Sequence, residues 1–328
     1  VTYYEEYLKL HPLEATAQGD HRYNDLLPID IDKDFISGEI AFYSKFLDQL
    51  KGVEYQSLSD DKKVVYDVLD ATLKDHIENK AYHFEYTPFT QFSGLPLEFP
   101  LLGSGDGSQP FKTTEDYDNW LKRINQFPVW MDAAIANFGE GIRNDVVLPK
   151  RLVVKMIPQM QAEEIVTTNM GKNIFYGPVK NFPASFSAQD KDKYAHLYRE
   201  AIVQKIIPAY QKMGDFLENE YLPKSRETDG INALPNGAST YQYLIRSWTT
   251  TDMKPDQIHK TGLQEVARIR AEMENVKRQV GFEGSLGEFL SNVKEDPKAM
   301  PYKTPEEVLK AFQGILTKIT PGLKTMFN

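Results

Sequence analysis

Cysteine is absent from all 328 residues. Disulfides, thiol nucleophiles, iron–sulfur clusters and Cys-based zinc sites are therefore excluded. A chain without thiols suits an oxidising space such as the periplasm. Long apolar runs are missing as well, and none approaches the roughly 18 residues that a membrane span needs. There is no basic excess: 38 Lys and Arg stand against 47 Asp and Glu, a net charge of −9, which argues against a nucleic-acid partner. Histidine is scarce, and its six members are His11, His21, His76, His83, His196 and His259. No pair has the spacing of H-E-x-x-H, and no Glu stands three residues before a His as in di-metal helices. The residues present thus carry no recognisable metal site. No G-x-S-x-G elbow is present either, so a serine hydrolase of that type has no support.

What the chain does have is helical periodicity. Phe35, Ile36, Ile40, Tyr43, Phe46, Leu47 and Leu50 recur at steps of three and four and predict a helix over 33–51. Ser59-Asp60-Asp61 is a helix start, followed by Val64, Val65, Val68, Leu69, Leu73 and His76 on one face. Thr113-Thr114-Glu115-Asp116 caps a helix through Tyr117, Trp120 and Ile124, which Pro128 is expected to interrupt before a second segment through Trp130 and Phe138. Pro149 is placed as the first residue of a helix to about Thr168. A long helix over 190–221 should kink at Pro208. Pro255–Val280 gives the clearest helix, and a last one runs from Pro305 to about Thr317, before a break at Thr320-Pro321-Gly322. Tyr82–Tyr86 alternates like a short strand. The expected fold is mainly α: a multi-helix array with long irregular loops, at 87–112 and 171–189, and at most a few short strands. It reads as a single large helical region over 1–328, with a possible sub-boundary near 171–189. The opening Val1-Thr2 without a start Met predicts a processed N-terminus, and the terminal apolar stub suggests a piece of something longer.

Three stretches bear on chemistry. Gly103-Ser104-Gly105-Asp106-Gly107-Ser108 lacks the Lys-Ser/Thr ending of a phosphate loop and reads as a surface turn. Helix 255–280 carries the stripe Ile258, Gly262, Val266, Ile269, Met273, Val276 and Val280, with His259 on one edge and Glu265, Arg268 and Glu272 spaced for an ion-paired trio. It is either a core helix or one whose His259 faces a cleft, and Gly262 inside it implies close approach by a neighbour. Before it, Asn236-Gly237 marks a turn. Tyr241, Tyr243, Arg246 and Thr249-Thr250-Thr251 form either an aromatic seam with capping threonines or a surface for a peptide carbonyl or carboxylate.

Several stretches together resemble a known family. They are His11-Pro12-Leu13-Glu14-Ala15-Thr16 with Gly19-Asp20-His21; Pro88-Phe89-Thr90-Gln91; Gln109-Pro110-Phe111 through Asp116-Tyr117 to Trp120-Leu121-Lys122-Arg123; Val147-Leu148-Pro149-Lys150; Tyr221-Leu222-Pro223; and Leu234-Pro235-Asn236-Gly237. The strongest is Thr249-Thr250-Thr251-Asp252, then Ile258-His259, Gly262-Leu263, Glu265-Val266-Ala267-Arg268-Ile269 and Glu272-Met273. In order and spacing they resemble the N-terminal portion of the bacterial domain of unknown function 885 family, many of whose members are classed as lipoproteins. The resemblance implies a mostly helical protein of the cell envelope, periplasmic or outer-membrane-anchored through a lipid on the precursor, and similar to zinc metallopeptidases of the gluzincin kind. The family's H-E-x-x-P-G-H-type motif lies downstream of the Glu-Met stretch and is not in this sequence. Zinc is therefore expected in the complete family protein, and neither a metal ligand nor a catalytic residue in this chain, which should be inactive alone. The expected role is one wall of a peptide-binding cleft, with Gln91, Tyr241, Tyr243, Arg246 and His259 as lining residues. The alternative is a non-catalytic envelope binding or scaffold protein for peptides or glycans.

Overall fold

In a computed structural model, which describes residues 2–327, the chain is 73% helical. It divides into two compact units, residues 1–249 and 250–328. The first unit runs through α1 (Thr2–Leu10), α2 (Pro12–Ala17), α3 (Lys33–Lys51), α4 (Asp60–Asn79), α5 (Leu95–Gly103), α6 (Thr114–Arg143), α7 (Lys150–Met160), α8 (Glu163–Val166), α9 (Gly177–Lys180), α10 (Ala188–Ala201), α11 (Ile207–Phe216) and α12 (Gly237–Thr249). The second holds α13 (Pro255–Gln279), α14 (Leu286–Glu295) and α15 (Pro305–Met326). The mainly α reading holds. Among the described residues the sole extended pairing is an isolated bridge between Pro149 and Arg226. Tyr82–Tyr86, expected as a strand, instead forms parts of two 3₁₀ turns, Lys80–Tyr82 and Phe84–Tyr86, joined by His83 in a left-handed conformation at φ 53°.

α6 is the axis of the first unit. Tyr117, Trp120, Ile124, Phe127, Met131, Ala134, Phe138 and Gly141 are buried at alternating steps of three and four, a seam that faces neighbours all along a helix. α5, α7, α10 and α11 supply the facing side chains of one continuous core. Phe99 of α5 stacks on Phe127, with ring centroids 4.2 Å apart. A smaller core of Tyr43, Phe46 and Leu73 joins α3 to α4. Pro128 does not interrupt α6: the helix is continuous from Thr114 to Arg143, because a core helix held by packing tolerates the one hydrogen bond that proline removes. Pro321 likewise lies inside α15 rather than ending it.

Proline acts differently in the long 188–221 segment. The expected kink at Pro208 appears as a widened π-helical turn, Ile202–Ile206, just before it, and a second such turn, Leu217–Tyr221, precedes Pro223. A wider turn takes the carbonyl four residues back away from the pyrrolidine ring, so the chain passes the proline without breaking. Pro149 caps α7 rather than opening it, and that helix stops at Met160, short of Thr168, with α8 following.

The two stretches read as loops are largely folded into the core. Residues 87–112 contain α5, and 171–189 contain α9 and a 3₁₀ turn at Ile174–Tyr176. Phe99, Phe175, Val179 and Phe186 from these stretches are core residues. Their backbone is fixed by buried tyrosines: Tyr210 donates to Pro96 O and Tyr117 to Pro178 O, both at 2.7 Å. Gly103, read as part of a surface turn, ends α5 against the rings of α6 and the Ile174 turn. A Cβ there would stand 2.5 Å from Trp120 Cζ2 and 2.6 Å from Phe175 Cδ1.

Arg123 is fully buried within α6. Its Nε donates to Leu26 O at 3.0 Å, and Nη2 donates to Thr16 Oγ1 at 2.8 Å, Tyr23 O at 3.1 Å and Pro12 O at 3.3 Å. Nη1 donates to Gln109 Oε1. Desolvation lowers its pKa to about 10, still above neutrality. One side chain thus anchors α2, the turn after it and the 103–112 connection to the central helix. Arg123→Lys supplies fewer donors in a different geometry and should cost about 2–4 kcal/mol. Gly103→Ala must displace two rigid rings and should cost about 1–3 kcal/mol. Urea unfolding of both variants, followed by circular dichroism, checks these values, and midpoints equal to that of the parent would reject them.

Candidate functional site

The C-terminal end of α4 gathers the polar side chains of the first unit. Asp75, Glu78 and Asn79 share a helix face by their spacing, and Tyr243, Arg246 and Ser247 share one on α12. The two faces meet. Ser247 Oγ donates to Asp75 at 3.1 Å, Asn79 Nδ2 donates to Tyr243 Oη at 3.1 Å, and Arg246 pairs with Glu78. The Tyr82 ring stacks on buried Tyr243 with centroids 4.3 Å apart, and the Arg246 guanidinium lies 5.8 Å from the Tyr243 ring centre.

Beside this seam is an open recess of about 290 Å³, lined by Tyr82, His83, Tyr86, Asn144, Asn236, Ser239 and Thr240 among others. His83 stacks on Tyr86 at 4.9 Å and is held by Glu85 at 2.8 Å. The far wall is the first turn of α12. Asn236 takes φ 57° to enter it, and Gly237 is packed so closely that a Cβ would meet Ile231 O. Ser239 and Thr240 both donate to Asn236 O, at 2.7 and 3.1 Å, so the hydroxyl oxygens keep acceptor capacity. Aromatic faces, amides and hydroxyls make a polar, ring-lined surface that can hold an extended chain by hydrogen bonds and ring contact.

On its opposite side, α4 borders an ionisable cluster. Glu39 is buried, with Lys80 Nζ 2.5 Å from one carboxylate oxygen and His11 Nε2 3.8 Å from the other. His11 Nε2 also lies 3.3 Å from Tyr43 Oη, and its ring packs 4.3 Å from that of Tyr7. Burial lowers the His11 pKa to about 4 and raises that of Glu39, against the pull of Lys80. In front of His11 is a cavity of about 100 Å³, whose lining also includes Glu14, Leu27, Asp30 and Leu95.

Of the sequence-expected lining residues, the structure brings Tyr243 and Arg246 together, and both buttress the Tyr82 wall of the recess. Tyr241 is on the same helix with an exposed ring. Gln91 lies in the segment before α5, where its carbonyl accepts from Gln159 Nε2 at 2.9 Å and its Oε1 is buried without a protein partner. It does not line the recess. His259 is exposed on α13 in the second unit. The ion-paired trio on that helix is present, with Arg268 bridging Glu265 at 2.7 Å and Glu272 at 2.8 Å. The expected close approach at Gly262 is not: nothing lies within 4 Å of a Cβ there. No residue of α13 is buried. Among the described residues no group of three or more His, Asp or Glu side chains is placed to hold a metal ion, so these residues do not fit a zinc site. No helix of the described residues is long and apolar enough to cross a membrane.

The neutral state of His11 has a consequence for stability. Above about pH 6.5 the ring is uncharged both folded and unfolded. Between about 6.5 and about 4 the unfolded chain takes up a proton that the folded chain refuses, so this contribution is lost as pH falls. Glu39, shifted upward, acts in the opposite sense, and its contribution is common to parent and variant. The stability advantage of the parent over His11→Gln should therefore shrink from pH 7 to pH 4.5 in urea unfolding. A difference independent of pH would reject a buried neutral ring.

Comparison with known proteins places this architecture. The family model described as "Bacterial protein of unknown function (DUF885)" matches residues 12–328. The fold is similar to the crystal structure of "the putative lipoprotein from Colwellia psychrerythraea", with a TM-score of 0.79 and 19% sequence identity over 98% of this chain. The chain spans 58% of the length of that protein. No curated protein matches it. With a family match over nearly its whole length, the chain belongs to the bacterial DUF885 family.

Proposed function

We propose that these residues are the helical N-terminal part of an envelope-associated protein of metallopeptidase-like kind, and that they supply one wall of a peptide-binding cleft. The observation that carries this reading is the recess beside α12, a polar, ring-lined surface with hydroxyl and amide acceptors. Tyr243 and Arg246 act from behind it, holding the Tyr82 ring through the stack and the Glu78 ion pair. Tyr241 and Gln91 in the first unit, and separately His259 in the second, are proposed peptide-contacting residues outside the recess. A similar fold in a protein named as a lipoprotein supports the envelope location, with a lipid anchor on the precursor. Zinc belongs, on this reading, to the part of the family protein outside these residues, and no chemical step is assigned to the residues present.

The reading predicts saturable binding of short unstructured peptides to the 328-residue chain without cleavage. Tyr86→Ala removes one ring of the recess and should weaken binding about tenfold, the loss typical of an aromatic anchor, while the urea midpoint stays near that of the parent. Titration calorimetry with peptides and with oligosaccharides checks both. Binding of oligosaccharides alone would favour the non-catalytic alternative, and peptide cleavage by the chain itself would overturn the assignment of catalysis to residues elsewhere.

A further inference from the structure

The second unit carries two apolar stripes that its own helices leave unburied. On α15, Leu309, Phe312, Leu316, Ile319, Leu323 and Met326 recur at alternating steps of three and four, and each is between 42% and 75% exposed. On α13, Val266, Ile269, Met273, Val276 and Val280 repeat the same steps and are 40% to 66% exposed. Neither helix has a buried residue. A helix with a one-sided apolar stripe at this spacing is built to pack against another helix. Left in water, the two make a contiguous apolar surface on each helix of the kind that marks an interface.

The spacing also narrows the partner. The α15 stripe spans fewer than three heptads, short of the three to four that a free-standing coiled coil needs. It calls for a multi-helix body rather than a single matching helix. The similar fold leaves length for one: this chain covers 58% of the Colwellia psychrerythraea protein, so a large part of that chain has no counterpart here. We infer that the α13 and α15 stripes are the docking surface for the remaining helices of the family fold, contributed by the same polypeptide. The inference rests on the proposed reading of these residues as part of a longer protein, and it specifies which faces join the two parts.

The absence of native cysteine makes the test direct. Single substitutions Met273→Cys and Phe312→Cys report on the stripes, and Lys310→Cys, on the opposite face of α15, serves as control. Maleimide labelling rates are measured in the 328-residue chain and in a longer polypeptide carrying the residues encoded after residue 328. In the shorter chain all three thiols should react at similar rates, independent of protein concentration and of added anionic phospholipid vesicles. In the longer polypeptide the two stripe thiols should slow by about tenfold or more while the control changes by less than about twofold. Equal labelling in the longer polypeptide overturns the docking surface and leaves the reading of a longer protein standing. A stop codon directly after residue 328 overturns both. Protection already present in the shorter chain, whether constant, concentration-dependent or induced by vesicles, also overturns the inference, because it assigns the stripes to this chain itself, to a second copy or to a membrane.

Discussion

A buried guanidinium hydrogen-bonded to neutral oxygens rather than to a carboxylate sets the frame of the first unit. Arg123 keeps its charge in the interior because every side of the fork is met by a neutral oxygen: three backbone carbonyls, the Thr16 hydroxyl and the Gln109 amide. Burying an unpaired cation is otherwise among the costliest things a fold can do. That cost makes the arrangement exacting, since each acceptor must be held where the fork reaches it. Thr16 is held in turn, its hydroxyl 2.9 Å from Pro12 O and 2.8 Å from Asn24 Oδ1, with one proton to share between them. The residues after α2 and after α5 are ordered for this reason, although the first has only a single 3₁₀ turn, His21–Tyr23, of regular structure.

With the N-terminal elements pinned to α6, the α3–α4 hairpin acquires two different faces. One presents His76 and Lys80 toward Tyr43 and Glu39, with His76 stacked on Tyr43 at 4.4 Å. The other presents Asp75, Glu78 and Asn79 to α12. The chemistry on the two sides differs because solvation differs. Behind His11 the groups are buried, and desolvation shifts the imidazole toward its neutral form. At the α12 recess the groups are more open to water, and the charged ones beside it are paired, Arg246 with Glu78 and His83 with Glu85.

Much of this was legible residue by residue. The 33–51 and 255–280 helices, the cap at Thr113 and the Glu265–Arg268–Glu272 trio depend on local spacing, and they stand where the spacing puts them. Tyr243 and Arg246 group by closeness in sequence, and the structure puts them three apart on one helix, α12, that the sequence reading does not assign. Their partners were not legible. Glu78, Asn79 and Tyr82 are more than 160 residues away from them in sequence, and no local pattern marks a contact of that range. Asn236 was visible as a turn residue, but nothing in the sequence set it across a recess from Tyr86. The His11-Pro12 and Gln109-Pro110 stretches stood out as family-like without revealing that both serve Arg123.

The sequence by itself determined the helical class, the absence of thiol chemistry and of a metal-ligand pattern, and the starts of the longest helices, because these follow from composition and from interactions within a few residues. Tertiary structure alone decided which prolines are tolerated. Packing of its buried face carries Pro128 through an unbroken α6, whereas the chain before Pro208 widens its turn. It also decided that the apparent loops are core, and which titratable groups lose water. Burial is a property of the assembled neighbours, and no residue carries it in its own name.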